Sequence, residues 1–228
     1  MLSTEKKMVV VAIDGPAGAG KSTVAQALAG RLNFSYIDTG AMYRALTLKA
    51  LRENISLENE DALVVLAQKT SIDLQGNSQT GLKVMLDDQD VSAEIRSVEV
   101  TNSTFYVARA PKVRAVLVTW QRGIGAKKNI VMEGRDIGTV VFPQARYKFY
   151  LDADPDVRAQ RRIKELEEKG NHVDAQKIRK ELKERDYKDF NRSAGPLKKA
   201  DDAIYIDSTN LSIEQTVDEM LKFINTRQ

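Results

Sequence analysis

The stretch "IDGPAGAGKST", residues 13 to 23, fits G-x-x-x-x-G-K-[ST] with Gly15, Gly20, Lys21 and Ser22 in the fixed places. The residue types suit one chemistry. Glycines let backbone N–H groups turn toward phosphate oxygens. A helix opening at Lys21 adds its positive N-terminal end. Pro16, Ala17, Gly18 and Ala19 complete the loop, and Thr23 follows it. Lys21 is expected to reach the β- and γ-phosphates of ATP, and the Ser22 hydroxyl to ligate Mg²⁺. Such a loop serves switches, motors and kinases alike. "NIVMEGRD" ends a strand in Glu133, a carboxylate placed to lie near the Mg²⁺ shell. No Asn-Lys-x-Asp guanine-reading motif follows, which argues against a GTPase switch.

A phosphoryl-transferring enzyme also needs cations around its acceptor. "DTGAMYR" places Thr39 and Arg44 after a second strand, and "EGRDIG" places Arg135 and Asp136 after a third. Both sit at the C-terminal edge of a parallel sheet, where open α/β folds bind ligands. In "KIRKELKERDYKDFNR", the residues Ile178, Leu182, Arg185, Asp189 and Arg192 recur at helical spacing. That stripe begins apolar and ends charged, so it points either into a polar cavity or onto a surface ion-pair set.

Short apolar runs at Val9–Ile13, Phe34–Ile37, Asn129–Glu133, Tyr147–Asp152 and Ala203–Asp207 read as strands. Helical stretches separate them: Ser22–Leu32, Ala41–Arg52 and longer ones beyond. This alternation predicts an α/β fold of the P-loop NTPase kind, a five-stranded parallel sheet flanked by helices. Between Ser71 and Val91 the period drops to two, predicting a small antiparallel β insertion. Asp154-Pro155 reads as a helix start, and Gly170-Asn171 as a break between two charged helices. Trp120 shares an apolar helix face with Val113, Val116 and Leu117. His172, Lys198 and Lys199 read as surface residues.

The 228 residues suit one domain with an insertion, and 42% apolar residues can fill a core. There is no cysteine, which removes disulfides and thiolate metal sites. The start of the chain is too polar for a signal peptide, and no run is long enough to span a membrane. A cytoplasmic protein is expected. The net charge of +3, from 35 basic and 32 acidic residues, gives no support for nucleic-acid binding.

Together with "VSAEIRS", "GRDIGTVVFP", "PLKKADDA" and "DSTNLSIEQ", these motifs resemble the bacterial cytidylate kinase family over nearly the whole chain. The resemblance implies a single nucleoside monophosphate kinase domain over 1–228. Its core lies at about 1–63 and 97–228, its monophosphate-binding insertion at about 64–96, and its helical lid at about 155–171. It implies transfer of the γ-phosphoryl of ATP to CMP or dCMP by a monomer. Arg44, Arg135 and Arg192 match the grip on the acceptor phosphate, and Asp189 with Thr39 matches the ribose contact. Arg185 matches a residue between donor and acceptor phosphates; Arg158, Arg161 and Arg162 are the lid arginines. Arg114, in "PKVRAV", and Asp136 match the readers of the base. Asp136 can accept from the cytosine amine while Arg114 donates to the ring acceptors. Uracil opposes two acceptors there, and an unpaired buried polar group costs about 1–3 kcal/mol.

The chain departs from the family pattern twice. A base-reading serine aligns with Phe105, leaving three options: Ser103, Thr104, or stacking by Phe105 itself. Many members carry Asp where this chain has Glu133. An adenylate or uridylate kinase is the nearest alternative, and a P-loop switch or ATPase the alternative of another class.

Overall fold

The computed structural model describes residues 8–77, 81–168, 170 and 173–226. Its central sheet is five-stranded and parallel: β1 (Val10–Asp14), β2 (Ser35–Asp38), β6 (Ile130–Gly134), β7 (Tyr147–Asp152) and β8 (Ile204–Asp207). The order is β2-β6-β1-β7-β8. β1, β6 and β7 are buried along nearly their whole length, as expected of strands covered on both faces.

One face packs against α1 (Lys21–Leu32) and α8 (Ile213–Thr226), burying Val24, Leu28, Val217 and Met220 on Val11, Ile13 and Phe149. Buried Thr216, Val217, Met220 and Ile224 give α8 one apolar stripe at helical spacing. The other face packs against α5 (Pro111–Lys127), which opens on Pro111 at its first position. α2 (Thr39–Arg52), α3 (Glu60–Gln68) and α4 (Val98–Arg109) join α5 around Leu46, Leu63, Val107 and Leu117. Trp120 is partly buried on that cluster, as the sequence predicts.

The period-two segment forms β3 (Ile72–Asn77), β4 (Gly81–Leu86) and a two-residue β5 (Gln89–Asp90) as a separate antiparallel sheet. β5 is not visible in the alternation, being too short to show a period. This sheet has its own apolar seam: Val84, Leu86 and Val91 meet Ala41, Ala45 and Leu48 of α2 and Val100 of α4.

α6 (Pro155–Glu168) and α7 (Ala175–Asn191) pack together, and Asp174 caps α7 through the amides of Gln176 and Lys177. Gly170 takes a positive φ of 78° in the connection, while His172 and Asn171 lie outside the described residues. Lys198 and Lys199 are exposed. Among the described residues no helix is long and apolar enough to cross a membrane.

Candidate active site

Parallel pairing in register brings the strand ends together. Asp38 lies opposite Glu133, Asp14 opposite Gly134, and Asp14 opposite Tyr150 on the other side. The loops leaving these strands therefore start side by side at one edge of the sheet.

The phosphate loop joins β1 to α1. Gly15, Gly18 and Gly20 adopt φ of 152°, 76° and 88°. A Cβ on Gly15 would collide with the carbonyl oxygen of Leu151, so only glycine lets the loop leave the sheet here. α1 has no side-chain cap and no acid in its first turn, which leaves its first amides for an anion. Lys21 curls back over the loop, its Nζ donating to the Pro16 carbonyl at 2.6 Å. Burial, and then the positive charge of Arg135, pushes Lys21 down to about 7. Beside it, the Tyr36 hydroxyl donates to Glu133 Oε1 at 2.6 Å, and Ser22 hydrogen-bonds the same carboxylate. Burial and the like charge of Asp38 raise Glu133 above its usual range.

Arg44 projects from α2 and donates through Nη2 to Asp38 at 2.9 Å. Its Nε is buried with no hydrogen-bond partner. Arg135 donates through Nε to Asp189 at 2.8 Å, joining the end of β6 to α7. Arg185 stands one turn before Asp189, exposed to the cleft. The enclosing protein, then Arg135, lower it to about 10, and Arg44 adds to the effect, so it stays cationic at neutral pH. The predicted stripe on α7 thus turns from buried Ile178 into a cleft-facing Arg185, Asp189 and Arg192.

The remaining wall is a buried polar cluster. Arg114 and Asp136 form an ion pair with both side chains almost fully enclosed. Arg192 donates to the Gly195 carbonyl at 2.5 Å and reaches the other Asp136 oxygen at 3.4 Å. The Arg114 guanidinium also lies 5.6 Å from the Tyr43 ring centroid. Gly195 has φ of 55°, and a Cβ there would run into Asp136 and Arg114. Burial raises Asp136 against the pull of Arg114 and Arg192.

Thr39 is buried beside this cluster, its hydroxyl donating to the Glu133 carbonyl at 2.7 Å. In the segment around Phe105, Thr104 donates to the backbone carbonyl of Val100, which commits its hydroxyl to its own helix. Phe105 is half-buried, with Lys188 of α7 5.4 Å from its ring centroid.

The three α6 arginines take different roles in this conformation. Arg158 is buried and clamps the phosphate loop, donating to the Ala17 carbonyl at 2.9 Å and to Asp186 at 2.5 Å. Asp186 in turn accepts from the Ala17 amide at 3.2 Å. Arg161 donates to the Ser208 carbonyl at 2.6 Å, and Arg162 pairs with Glu165 on its own helix at 2.7 Å. Asp186, Asp14, Asp38 and Tyr43 were not singled out from the sequence. Asp38 alone had a usable signal, since an Asp before Thr39-Gly40 is a helix-cap residue, and it does accept from the Ala41 amide.

A glycine-rich loop between a central strand and its helix, facing a cationic cleft at the sheet edge, defines a P-loop phosphotransferase. Residues 11–226 match the family model for cytidylate kinase, and the chain belongs to that family. It is 50% identical over 216 residues to a cytidylate kinase of Caldanaerobacter subterraneus subsp. tengcongensis, covering 95% of this chain and 94% of that one. A cytidylate kinase of Desulforamulus reducens is 50% identical over 221 residues, covering 97% and 98%. A solved but uncharacterised protein from Eubacterium ventriosum shares the fold, with a TM-score of 0.52 at 14% identity, covering 96% of this chain and 99% of that one.

Proposed function

We propose that the protein transfers the γ-phosphoryl group of ATP to the 5′-phosphate of CMP or dCMP. The observation that carries this reading is the buried Arg114–Asp136–Arg192 cluster, at the sheet edge that also carries the phosphate loop. Membership of the cytidylate kinase family supports the same acceptor.

ATP lies with its phosphates over the loop amides and Lys21. Arg44, Arg135 and Arg192 hold the acceptor phosphate, where guanidinium forks suit paired bonds to phosphate oxygens. Asp189, assisted by Thr39, takes the ribose hydroxyls, and Asp136 with Arg114 reads the pyrimidine. The acceptor phosphate is largely ionised near neutral pH, so no general base is needed. Arg185 neutralises charge between the two nucleotides, and the work is positioning and charge stabilisation. Closure of the lid would limit access of water.

The oxygen donors at Ser22 and Glu133 suit Mg²⁺, and the like-charged Asp38 beside Glu133 favours a cation there. When bound there, Mg²⁺ would supply positive charge against the triphosphate. The same reading takes the protein as a monomer acting on free nucleotides in the cytoplasm.

A coupled assay for ADP release tests the reading, with CMP, dCMP, UMP and AMP offered in turn. Turnover with CMP and dCMP, and much less with the others, is expected. Equal ATP turnover without any monophosphate would replace the reading with a simple ATPase.

A further inference from the structure

Asp14 ends β1 one residue before the phosphate loop, and no transfer step above uses it. It is 4% exposed. Its Oδ1 accepts from the Ile137 amide at 2.7 Å and its Oδ2 from the Gly138 amide at 2.7 Å. These are the first two amides of a one-turn π-helical segment, Ile137–Val141, that begins directly after Asp136.

Later amides of the same segment close on the opposite side. Those of Val140 and Val141 donate to the Asp136 carbonyl at 2.9 and 3.2 Å. The backbone around Asp136 is thus held by its own turn on one side and by Asp14 on the other. Gly138 lets the two approach: a Cβ there would lie 3.3 Å from Asp14 Oδ2 and 3.2 Å from Lys148. A two-oxygen acceptor matches two adjacent amides, and no neutral side chain of the same size does so. Asparagine offers one oxygen and sets an NH₂ against the second N–H.

We propose that Asp14 is a positioning residue for acceptor choice: it holds the Arg135–Asp136 backbone at the angle from which Asp136 meets the base, and ties that angle to the phosphate loop. The inference rests on the reading of Asp136 as the base contact.

The test is Asp14→Asn, assayed at saturating ATP with CMP and with UMP, and at saturating CMP with varied ATP. An unpaired amide under Asp136 is expected to lower kcat/KM for CMP about tenfold and to shrink the CMP-to-UMP preference about threefold or more. KM for ATP is expected to change less than about twofold, since the hydrogen bonds of Asp14 go to Ile137 and Gly138 and not to the loop. Asp14→Glu keeps the charge and both oxygens but displaces them by one methylene. It is expected to lose the same preference, and it stands in if the Asn variant does not fold. A folded variant with an unchanged CMP-to-UMP ratio, or with both KM values rising together, would reduce Asp14 to a structural residue and overturn the inference. Wild-type protein without CMP turnover would instead overturn the underlying reading.

Discussion

Arg135 and Asp189 hold each other across the cleft, Nε to Oδ2 at 2.8 Å, although one ends a strand of the sheet and the other rides on α7. On the proposed reading, an entering nucleotide would compete with that pair and replace it with bonds to phosphate and ribose. Arg135 holds Asp189 below the usual carboxylate range despite its burial, so the carboxylate is ionised at working pH. Asp189→Asn removes a charge-assisted bond worth about 1.5–3 kcal/mol and is expected to raise KM for CMP about tenfold or more. KM for ATP should stay within about twofold, which steady-state kinetics with each substrate varied in turn will check.

Arg192→Ala should weaken acceptor use by a similar route. Arg192 touches Asp136 and the Gly195 carbonyl but no residue of the phosphate loop. The expected loss is about tenfold or more in kcat/KM for CMP, with nucleotide-triphosphate affinity preserved. A wild-type-like KM for CMP in this variant would contradict the assignment.

Lys21 carries a pH signature. Pushed down to about 7, it is largely neutral at pH 8 in the free protein. Triphosphate charge favours the ammonium, so ATP binding should take up about one proton at pH 8 and almost none at pH 6. Calorimetry in buffers of different ionisation heat measures this directly, and equal uptake at both pH values would refute it. Lys21→Ala should lower turnover about 10²–10³-fold while the protein stays folded.

The Arg158–Asp186 clamp predicts a stability effect. Asp186→Ala strands a buried guanidinium and is expected to cost about 3–5 kcal/mol. At about 2–4 °C per kcal/mol for a chain of this size, the melting temperature should fall on the order of 10 °C. The double variant Arg158→Met, Asp186→Leu should recover much of that loss, because apolar packing often replaces a buried ion pair without penalty. Thermal melts of both proteins decide the matter.

Asp14 adds a pH-dependent term. Burial raises it from 3.8 to about 6, so between those values the native state binds more protons than the unfolded chain. Its contribution is fully present below about pH 4 and lost as pH rises through about 6. The stability of the natural protein relative to Asp14→Asn should therefore fall by about 3 kcal/mol between pH 4 and pH 7. Urea titrations of the pair at the two pH values measure it.

The elements that build the cleft were legible because each writes a local pattern. The phosphate loop is a spaced motif, Arg44 and Arg135 follow strands in short motifs, and the α7 residues recur at helical intervals. Asp14 and Asp186 left no such trace. Their partners are the backbone amides of Ile137, Gly138 and Ala17, and an amide has no residue type to reveal it. Arg158 reads from the sequence as a lid arginine, and its clamp on Ala17 is not legible there, since its partner Asp186 lies on the following helix. Family membership fixes the expected acceptor better than Phe105 does; the cations of Lys188 and Arg109 flank its ring.

The Nε of Arg44 is buried with no hydrogen-bond partner within the protein. On the proposed reading, a docking phosphate oxygen would give that donor an acceptor, a bond worth about 0.5–1.5 kcal/mol net. Arg44 would then favour an anionic group at this wall over a neutral one.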